Sequence, residues 1–409
     1  MNIVRGRYSH SLRDDFKAIA RSLFLGRDSY EKNFELEKVL SEKVGQREVI
    51  IFPFARTAVY FTLRALALPR DTQILMPSIT IKAMLDVVLE LNLKPVFVDS
   101  NPSTGCFDLD SLEREVRSNK PRVCLLTYLF GVVPNVDEIV DILKKHNVFI
   151  IEDFSQAFGA EYNSRSIGSF GDVSIYSASA VKTLDTYGGG YAFTSNGEIA
   201  TKLLDYQSKL AAPSPTLQFK RVLLSSIKNV FSQRVFFSLF IFPIFKLLDS
   251  RGNTGFNRFV GERSRLPIED LPKEWFHSYT NWQGEYCLEM LDGIEIRDQK
   301  RMRVAARIMA ANKDLNFVKG HAKSKSIYWQ CIALPIDTKK FRTHMYSFGI
   351  DTAMTSLVEL SRLNAYGINT ETPGADYLYQ HGVYIPCHHL MLEEEIVKIE
   401  NAIRSYSQN

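Results

Sequence analysis

The chain has 409 residues, of which 45% are hydrophobic and 23% charged, and a net charge of +4. That is enough to bury a core for two domains; so small a charge, with no nucleic-acid motif, gives no reason to expect a nucleic-acid partner. Five widely spaced cysteines without a CxxC pair, no apolar core of signal-peptide type at the N-terminus, and no apolar run near the roughly 20 residues that span a bilayer predict a cytoplasmic protein with reduced thiols.

From residue 45 to 195 short apolar runs alternate with amphipathic ones. Strands are expected at Val49–Phe52, Gln73–Met76, Pro95–Val98, Arg122–Thr127 and Val148–Ile151. Helices are expected at Thr57–Leu68, Ile81–Leu91, Leu109–Ser118 and Val136–Lys145. This alternation predicts an α/β fold around a large, mainly parallel sheet flanked by helices. Ligands of such sheets sit beyond the carboxyl ends of the strands, where Ser78, Asp99, Tyr128 and Asp153 fall. The pattern breaks over 213–278. There Val222–Leu224 and the aromatic run Val235–Phe245 are interleaved with Lys220, Arg221, Lys228, Arg234 and Lys246, and a loop is expected over 252–273. A helix is expected from Trp282 towards Met309. A strand at Ile327–Leu334 and a helix at Leu392–Tyr406 then suggest a smaller α+β domain. The division is thus 1–212, an aromatic and basic insertion at 213–278, and 279–409.

The chemistry is concentrated between Val148 and Gly190. A buried strand runs into Glu152-Asp153-Phe154-Ser155-Gln156. Gly171-Asp172, Ser177, Lys182 and Gly188-Gly189-Gly190 follow. A carboxylate, a hydroxyl, a lysine and a glycine turn in this order are the parts needed to hold pyridoxal 5'-phosphate (PLP). The carboxylate keeps the pyridine nitrogen protonated, the lysine forms a Schiff base, and the hydroxyl with nearby amides holds the phosphate. A helix start after the Val49–Phe52 strand offers the amides of Arg56, Thr57 and Ala58 as an anion site.

In this ordered set the chain resembles the DegT/DnrJ/EryC1/StrS sugar aminotransferases, PLP enzymes of fold type I. The serine five residues before Lys182 and the glycine pair after it belong to that likeness, as do Phe34-Glu35, Pro77-Ser78, Phe130-Gly131 and Ile385-Pro386-Cys387-His388. The resemblance implies Lys182 as the catalytic lysine and Asp153 as the partner of the ring nitrogen. It implies Ser177, Arg56, Thr57 and Ala58 around the phosphate. Gln156 is either at the ring hydroxyl or a structural turn glutamine. It also implies a homodimer with active sites at the interface, in which Asn281 would reach the partner's cofactor phosphate. The implied reaction moves an amino group from glutamate to a keto sugar, a nucleotide-linked keto-deoxysugar of a surface polysaccharide. The alternatives are an unactivated acidic keto sugar such as an 8-oxo-octulosonate, or a non-catalytic membrane-associated relative. Family members that dehydrate sugars carry histidine in place of the lysine.

Several positions depart from the family pattern. Arg56 replaces a glycine, and reads either as a cation near the phosphate or as a surface arginine. Ile81 stands where an aromatic often covers the ring, Tyr187 stands in the glycine turn, and Gln283 replaces an arginine. His388-His389 gives two neighbouring histidines without a third ligand, so no metal is expected. The segment 220–248 is open between a lid or dimer contact, extra core, and peripheral contact with the inner face of a membrane.

Overall fold

The computed structural model describes residues 1–409 except 25–27, 29–30, 32, 46, 251–269, 364–366 and 408–409. A seven-stranded sheet forms its centre, in the order Glu48–Phe52, Gly190–Thr194, Val173–Ser177, Phe149–Asp153, Val123–Thr127, Gln73–Pro77 and Lys94–Val98. Only Gly190–Thr194 runs against the rest, pairing antiparallel with both neighbours. The expected strands are found within two residues at either end, and the helix at Val136–Lys145 has the expected limits. Helices cover both faces, which explains why Val123–Thr127 is buried at every position and why its sequence does not alternate.

The carboxyl ends of six strands and the amino end of the seventh lie along one edge of this sheet. Asp153 and Ser177 close two of them, and Gly190 opens the third. Glu152, next to Asp153, points the other way, as alternation along a strand requires. It accepts from Gly168 N (2.7 Å), Phe170 N (2.8 Å) and Gly171 N (2.8 Å). The conspicuous acidic pair therefore has one structural and one site-facing member.

The helix expected from Trp282 is two helices, Asn281–Leu291 and Ile294–Ala310, broken at Gly293 with φ of 66°. The strand expected at Ile327–Leu334 is shorter, Cys331–Leu334. Its first half instead docks on the 3-10 turn Leu129–Gly131, where Ile327 N and Tyr328 N donate to Gly131 O and Gln330 N donates to Phe130 O. Cys331–Leu334 belongs to a four-stranded sheet with Asn316–Phe317, Val383–Ile385 and Ala353–Met354. This sheet packs against helices Ile294–Ala310, Thr338–Ser347 and Glu393–Arg404.

The 213–248 segment is helical. Ser214 caps Pro215–Ser232 by accepting from Leu217 N (3.1 Å), with Pro215 in the first turn, a start signal that the sequence does carry. After a 67° bend the chain continues through Arg234–Leu248. Among the described residues no single helix is long and apolar enough to cross a membrane. The loop expected over 252–273 falls almost wholly outside the described residues.

Candidate active site

Lys182 stands at the sheet edge, in the turn that follows the strand ending at Ser177. Burial lowers its amine to about 8, against the raising effect of Asp153's charge. Asp153 is buried at the end of its strand. Burial holds its carboxyl above the usual range, opposed by hydrogen bonding to Ser155 and by the charge of Lys182. Ser155 N donates to Asp153 Oδ1 (3.0 Å). The two groups are thus close enough for each to act on the other's ionisation.

The turn holding Lys182 is pinned from several sides. Val181 has a left-handed backbone, φ 61°, costly for a β-branched residue. Its N–H donates to Asp185 Oδ2 (2.9 Å), and its carbonyl accepts from Trp329 Nε1 (2.8 Å). Trp329 also covers the amine, with Lys182 Nζ 4.1 Å from the ring centroid. Trp329 reaches this place because residues 327–330 dock on Gly131. A Cβ on Gly131 would lie 2.5 Å from Trp329 N, so only glycine allows the approach. Sequence reading missed Trp329, 147 positions along the chain from Lys182; its one signal was the Phe130-Gly131 pair it packs on.

Gln156 supports the 3-10 turn Leu129–Gly131 on which Trp329 docks. Its Oε1 accepts from Phe130 N at 2.6 Å, so the structural reading of this residue has a partner in the fold. Ile81, half exposed, precedes the helix Lys82–Glu90, and the aromatic ring beside Lys182 is that of Trp329.

The glycine turn forms a cradle. Ala178 N donates to Gly189 O (2.9 Å), and Gly189 N to Pro53 O (2.8 Å). A Cβ on Gly190 would lie 2.0 Å from the backbone carbon of Phe54, and one on Gly189 3.0 Å from the Tyr279 ring. Gln283, which replaces the family's arginine, is buried and donates to Thr186 O (2.9 Å), so it holds the turn from behind. Ser177 lies in register with Gly190, its Oγ donating to Ser179 Oγ (3.2 Å).

Helix Ala55–Ala65 starts beside this cradle. The amides expected there are only partly available. Thr57 N and Ala58 N both donate to Phe54 O (3.1 Å each), closing the first helical turn, and Thr57 Oγ1 donates to Trp275 O (2.8 Å). Arg56, at the second helical position, has no intrahelical acceptor for its amide. Its side chain is no surface arginine. The guanidinium lies 4.2 Å from the Phe54 ring centroid and 4.3 Å from that of Trp275, with Nε buried and unpartnered. The guanidinium of Arg221, from the 213–278 segment, lies 4.6 Å from the centroid of the same Phe54 ring, and its Nη1 would be 3.2 Å from a Cβ on Gly188. Burial lowers both guanidinium groups to about 10, and for Arg56 the charge of Arg221 adds to it. Two desolvated cations beside a glycine cradle and a helix N-terminus have the chemistry that a phosphate needs. Arg221 was read only as one charge in a basic segment.

These residues fit PLP. A lysine with a lowered pKa faces a buried carboxylate, and a Cβ-free cradle with unpartnered guanidinium capacity lies next to them. Asn281 is not part of this cluster within one chain; its Oδ1 accepts from Glu31 N (2.7 Å). Thr280, ahead of it, donates to Gln283 Oε1 (2.7 Å).

A cavity of about 380 Å³ adjoins Lys182, with Val181 and Trp329 in its wall. Its lining includes Arg5, Arg7, Lys228, Arg301, His388 and His389, together with Phe231, Phe237 and Phe245 of the insertion. Both histidines are lowered to about 3, by burial first and then by neighbouring cations, so they are neutral. Arg7 Nε and both ring nitrogens of His388 are buried without a hydrogen-bond partner. Arg5 faces Asp351 (3.5 Å), and Arg301 faces Asp298 (2.7 Å).

Comparison with known proteins agrees with this geometry. GDP-perosamine synthase of Escherichia coli O157:H7 is 28% identical over 152 residues, 37% of this chain and 42% of that protein. UDP-N-acetyl-3-dehydro-alpha-D-glucosamine 3-aminotransferase of Acidithiobacillus ferrooxidans is 30% identical over 147 residues, 36% of this chain and 40% of that protein. The matched segment thus spans less than half the length of these relatives. In fold, the chain matches an Escherichia coli GDP-4-keto-6-deoxy-D-mannose-3-dehydratase with bound hydrated PLP. The TM-score is 0.73 at 17% identity, over 98% of this chain and 100% of that one. The architecture is that of the fold type I PLP enzymes. The model of the DegT/DnrJ/EryC1/StrS aminotransferase family matches residues 10–219, and the chain belongs to that family.

Proposed function

We propose that the protein is a PLP-dependent aminotransferase that moves an amino group from glutamate to a keto sugar, a nucleotide-linked keto-deoxysugar destined for a surface polysaccharide. The observation that carries this reading is Lys182, its amine lowered to about 8 between Asp153 and the Trp329 ring. Bound at this site, PLP supplies the electron sink and carries the amino group between donor and acceptor. Asp153 keeps a proton on the pyridine nitrogen. Ser177, the Arg56 amide and the guanidinium groups of Arg56 and Arg221 hold the phosphate. Lys182, free of its proton at mildly basic pH, takes a proton from the substrate carbon and returns it. Trp329 keeps water from that amine.

The shared fold does not choose between transamination and the dehydration named for one structural neighbour; Lys182 favours transamination. The names of the two relatives above favour a nucleotide sugar. The cationic cavity favours an anionic acceptor, which a diphosphate and a sugar acid both satisfy. Its volume, at the small end for ligand pockets, keeps the unactivated acidic keto sugar as a second reading. The proposed homodimer leaves Asn281 free to exchange Glu31 for a group of the second copy.

The test is transfer of label from 15N-glutamate to a panel of nucleotide-linked and acidic keto sugars, followed by mass spectrometry. Lys182→Ala is expected to lose at least about 1,000-fold in rate, with unchanged circular dichroism. Labelled product formed by Lys182→Ala at near the wild-type rate contradicts the mechanism. No labelled product from any keto sugar, with PLP bound, contradicts the substrate class.

A further inference from the structure

Helix Pro215–Ser232 is built inside out. Apart from Val222, its buried residues are polar, Gln218, Ser225, Ser226, Asn229 and Ser232, while Leu224, Ile227, Val230 and Phe231 are exposed. Asn229 ties this face to the body, its Nδ2 donating to Asp15 Oδ2 (2.7 Å) and to His10 O (3.1 Å), whereas the Gln218 side chain and Ser225 Oγ are buried without a hydrogen-bond partner among the described residues. Leu224, Ile227, Val230 and Phe231 are 37–48% exposed. The next helical stretch repeats the arrangement. Phe237 and Phe242 are buried against Val4 and Tyr346, and Arg234 is held by Glu395 (2.9 Å). Leu239, Phe240, Ile244 and Leu247 each stay at least half exposed. Phe231, Phe236 and Phe240 form a continuous exposed ridge, with ring centroids 5.6 and 4.8 Å apart. The segment is therefore anchored to the body by one face and presents a broad apolar face outward, which isolated surface leucines do not do.

Charge indicates what covers it. Residues 213–248 hold Lys220, Arg221, Lys228, Arg234 and Lys246 and no acidic residue. Arg221 and Arg234 are turned inward, which leaves Lys220, Lys228 and Lys246 exposed around the aromatic ridge. In a two-fold interface between copies this patch would face itself, like charge against like. An anionic lipid surface complements both the apolar ridge and the lysines. Neither helix alone is long and apolar enough to cross a bilayer; the bent pair together meets the length and composition of a broken span, but one face of it is packed on Val4 and Tyr346 of the body, which suits a segment lying in the plane of the headgroups.

We infer that residues 220–248 form a docking face for an anionic lipid bilayer. Phe231 and Lys228 belong both to this face and to the wall of the cavity next to Lys182, so docking sets the cavity mouth at the headgroup level. The inference needs no turnover and stands apart from the aminotransferase reading.

The test is flotation of the full-length, PLP-loaded protein with vesicles of phosphatidylcholine and phosphatidylglycerol, and with phosphatidylcholine alone. The wild type is expected to float with the anionic vesicles, and high salt to weaken that binding. Leu239→Asp with Phe240→Asp is expected to lower it at least about tenfold, with unchanged circular dichroism. Lys220→Glu and Lys246→Glu are each expected to lower it about fivefold or more. Protection of 224–247 from hydrogen exchange upon vesicle binding would localise the contact. Failure of the wild type to float, or flotation indifferent to the Leu239/Phe240 double substitution, overturns the inference. So does a double variant that dissociates an oligomer while the wild type ignores vesicles, because the face then joins two copies of the chain.

Discussion

Asp185 Oδ2 accepts a hydrogen bond from Val181 N, 2.9 Å away, and so fixes the residue just before Lys182. Asp185 is itself held in a buried network. His10 Nε2 lies 3.4 Å from Asp185 Oδ2, and His10 Nδ1 lies 2.9 Å from Asp15 Oδ1. Tyr187 OH donates to Asp15 Oδ1 (2.8 Å), and Tyr187 N to Asp185 Oδ1 (3.1 Å). With Asn229 Nδ2 donating to Asp15 Oδ2 (2.7 Å), the N-terminal segment, the helix Leu12–Phe24 and the helix Pro215–Ser232 meet behind the lysine. The left-handed backbone at Val181, a conformation costing about 1–3 kcal/mol, persists because this network over-determines it.

The network makes stability depend on pH. Burial alone would lower the His10 pKa, but hydrogen bonds and charges from Asp15 and Asp185 outweigh it and push it up to about 9. A folded-state value above the unfolded one, about 6.5, contributes stability that is complete below that value and is lost as pH rises through about 9. The contribution is on the order of 3 kcal/mol. Thermal melts from pH 6 to 10 are expected to show a fall for the wild type that His10→Asn lacks. Parallel profiles for the two proteins would mean His10 is neutral in the fold.

Arg221 approaches the glycine turn, at Gly188, from the insertion. If it holds the cofactor phosphate, Arg221→Ala weakens PLP binding by about tenfold or more, the loss of one charge-assisted hydrogen bond. Binding of pyridoxal, which lacks the phosphate, is expected to change little. Equal loss for both ligands, measured by equilibrium dialysis, would assign Arg221 to packing on Phe54 instead.

Gly190 has no room for a side chain, since its Cβ would meet the backbone of Phe54 and Ala55 at 2.0–2.2 Å. Gly190→Ala is expected to destabilise by about 3 kcal/mol or more, read from urea unfolding, and to reduce PLP binding with it. Gly197, which meets nothing within 4 Å, serves as the control, and Gly197→Ala is expected to leave both unchanged.

The sheet was legible because both its faces are covered, so each strand is a short apolar run bounded by turn residues. The exceptions were Val173–Ser177, which was read for its serine and not as a strand, and Gly190–Thr194, whose antiparallel course nothing in Tyr191–Phe193 announces. Asp153, Ser177 and Lys182 were legible because all three lie within residues 153–182, at and just after the ends of the paired strands Phe149–Asp153 and Val173–Ser177. Trp329 and Arg221 were not. Each reaches the site through long-range packing, one on Gly131 and the other across Phe54. The amides of Thr57 and Ala58 illustrate the opposite error: the helix start was found, but its first turn uses those donors itself. Gly293 carried a visible break signal that the apolar spacing on either side masked. The inverted burial of Pro215–Ser232 could not be read from periodicity, which finds an apolar face without saying which way it turns.

The most direct test is the visible absorption spectrum of the PLP-loaded protein before and after adding glutamate. The account predicts a yellow band that disappears on adding glutamate, returns on adding 2-oxoglutarate, and is absent from Lys182→Ala under the same conditions. A yellow band that glutamate leaves unmoved would contradict glutamate as the donor. The same band in Lys182→Ala would contradict the central role of Lys182.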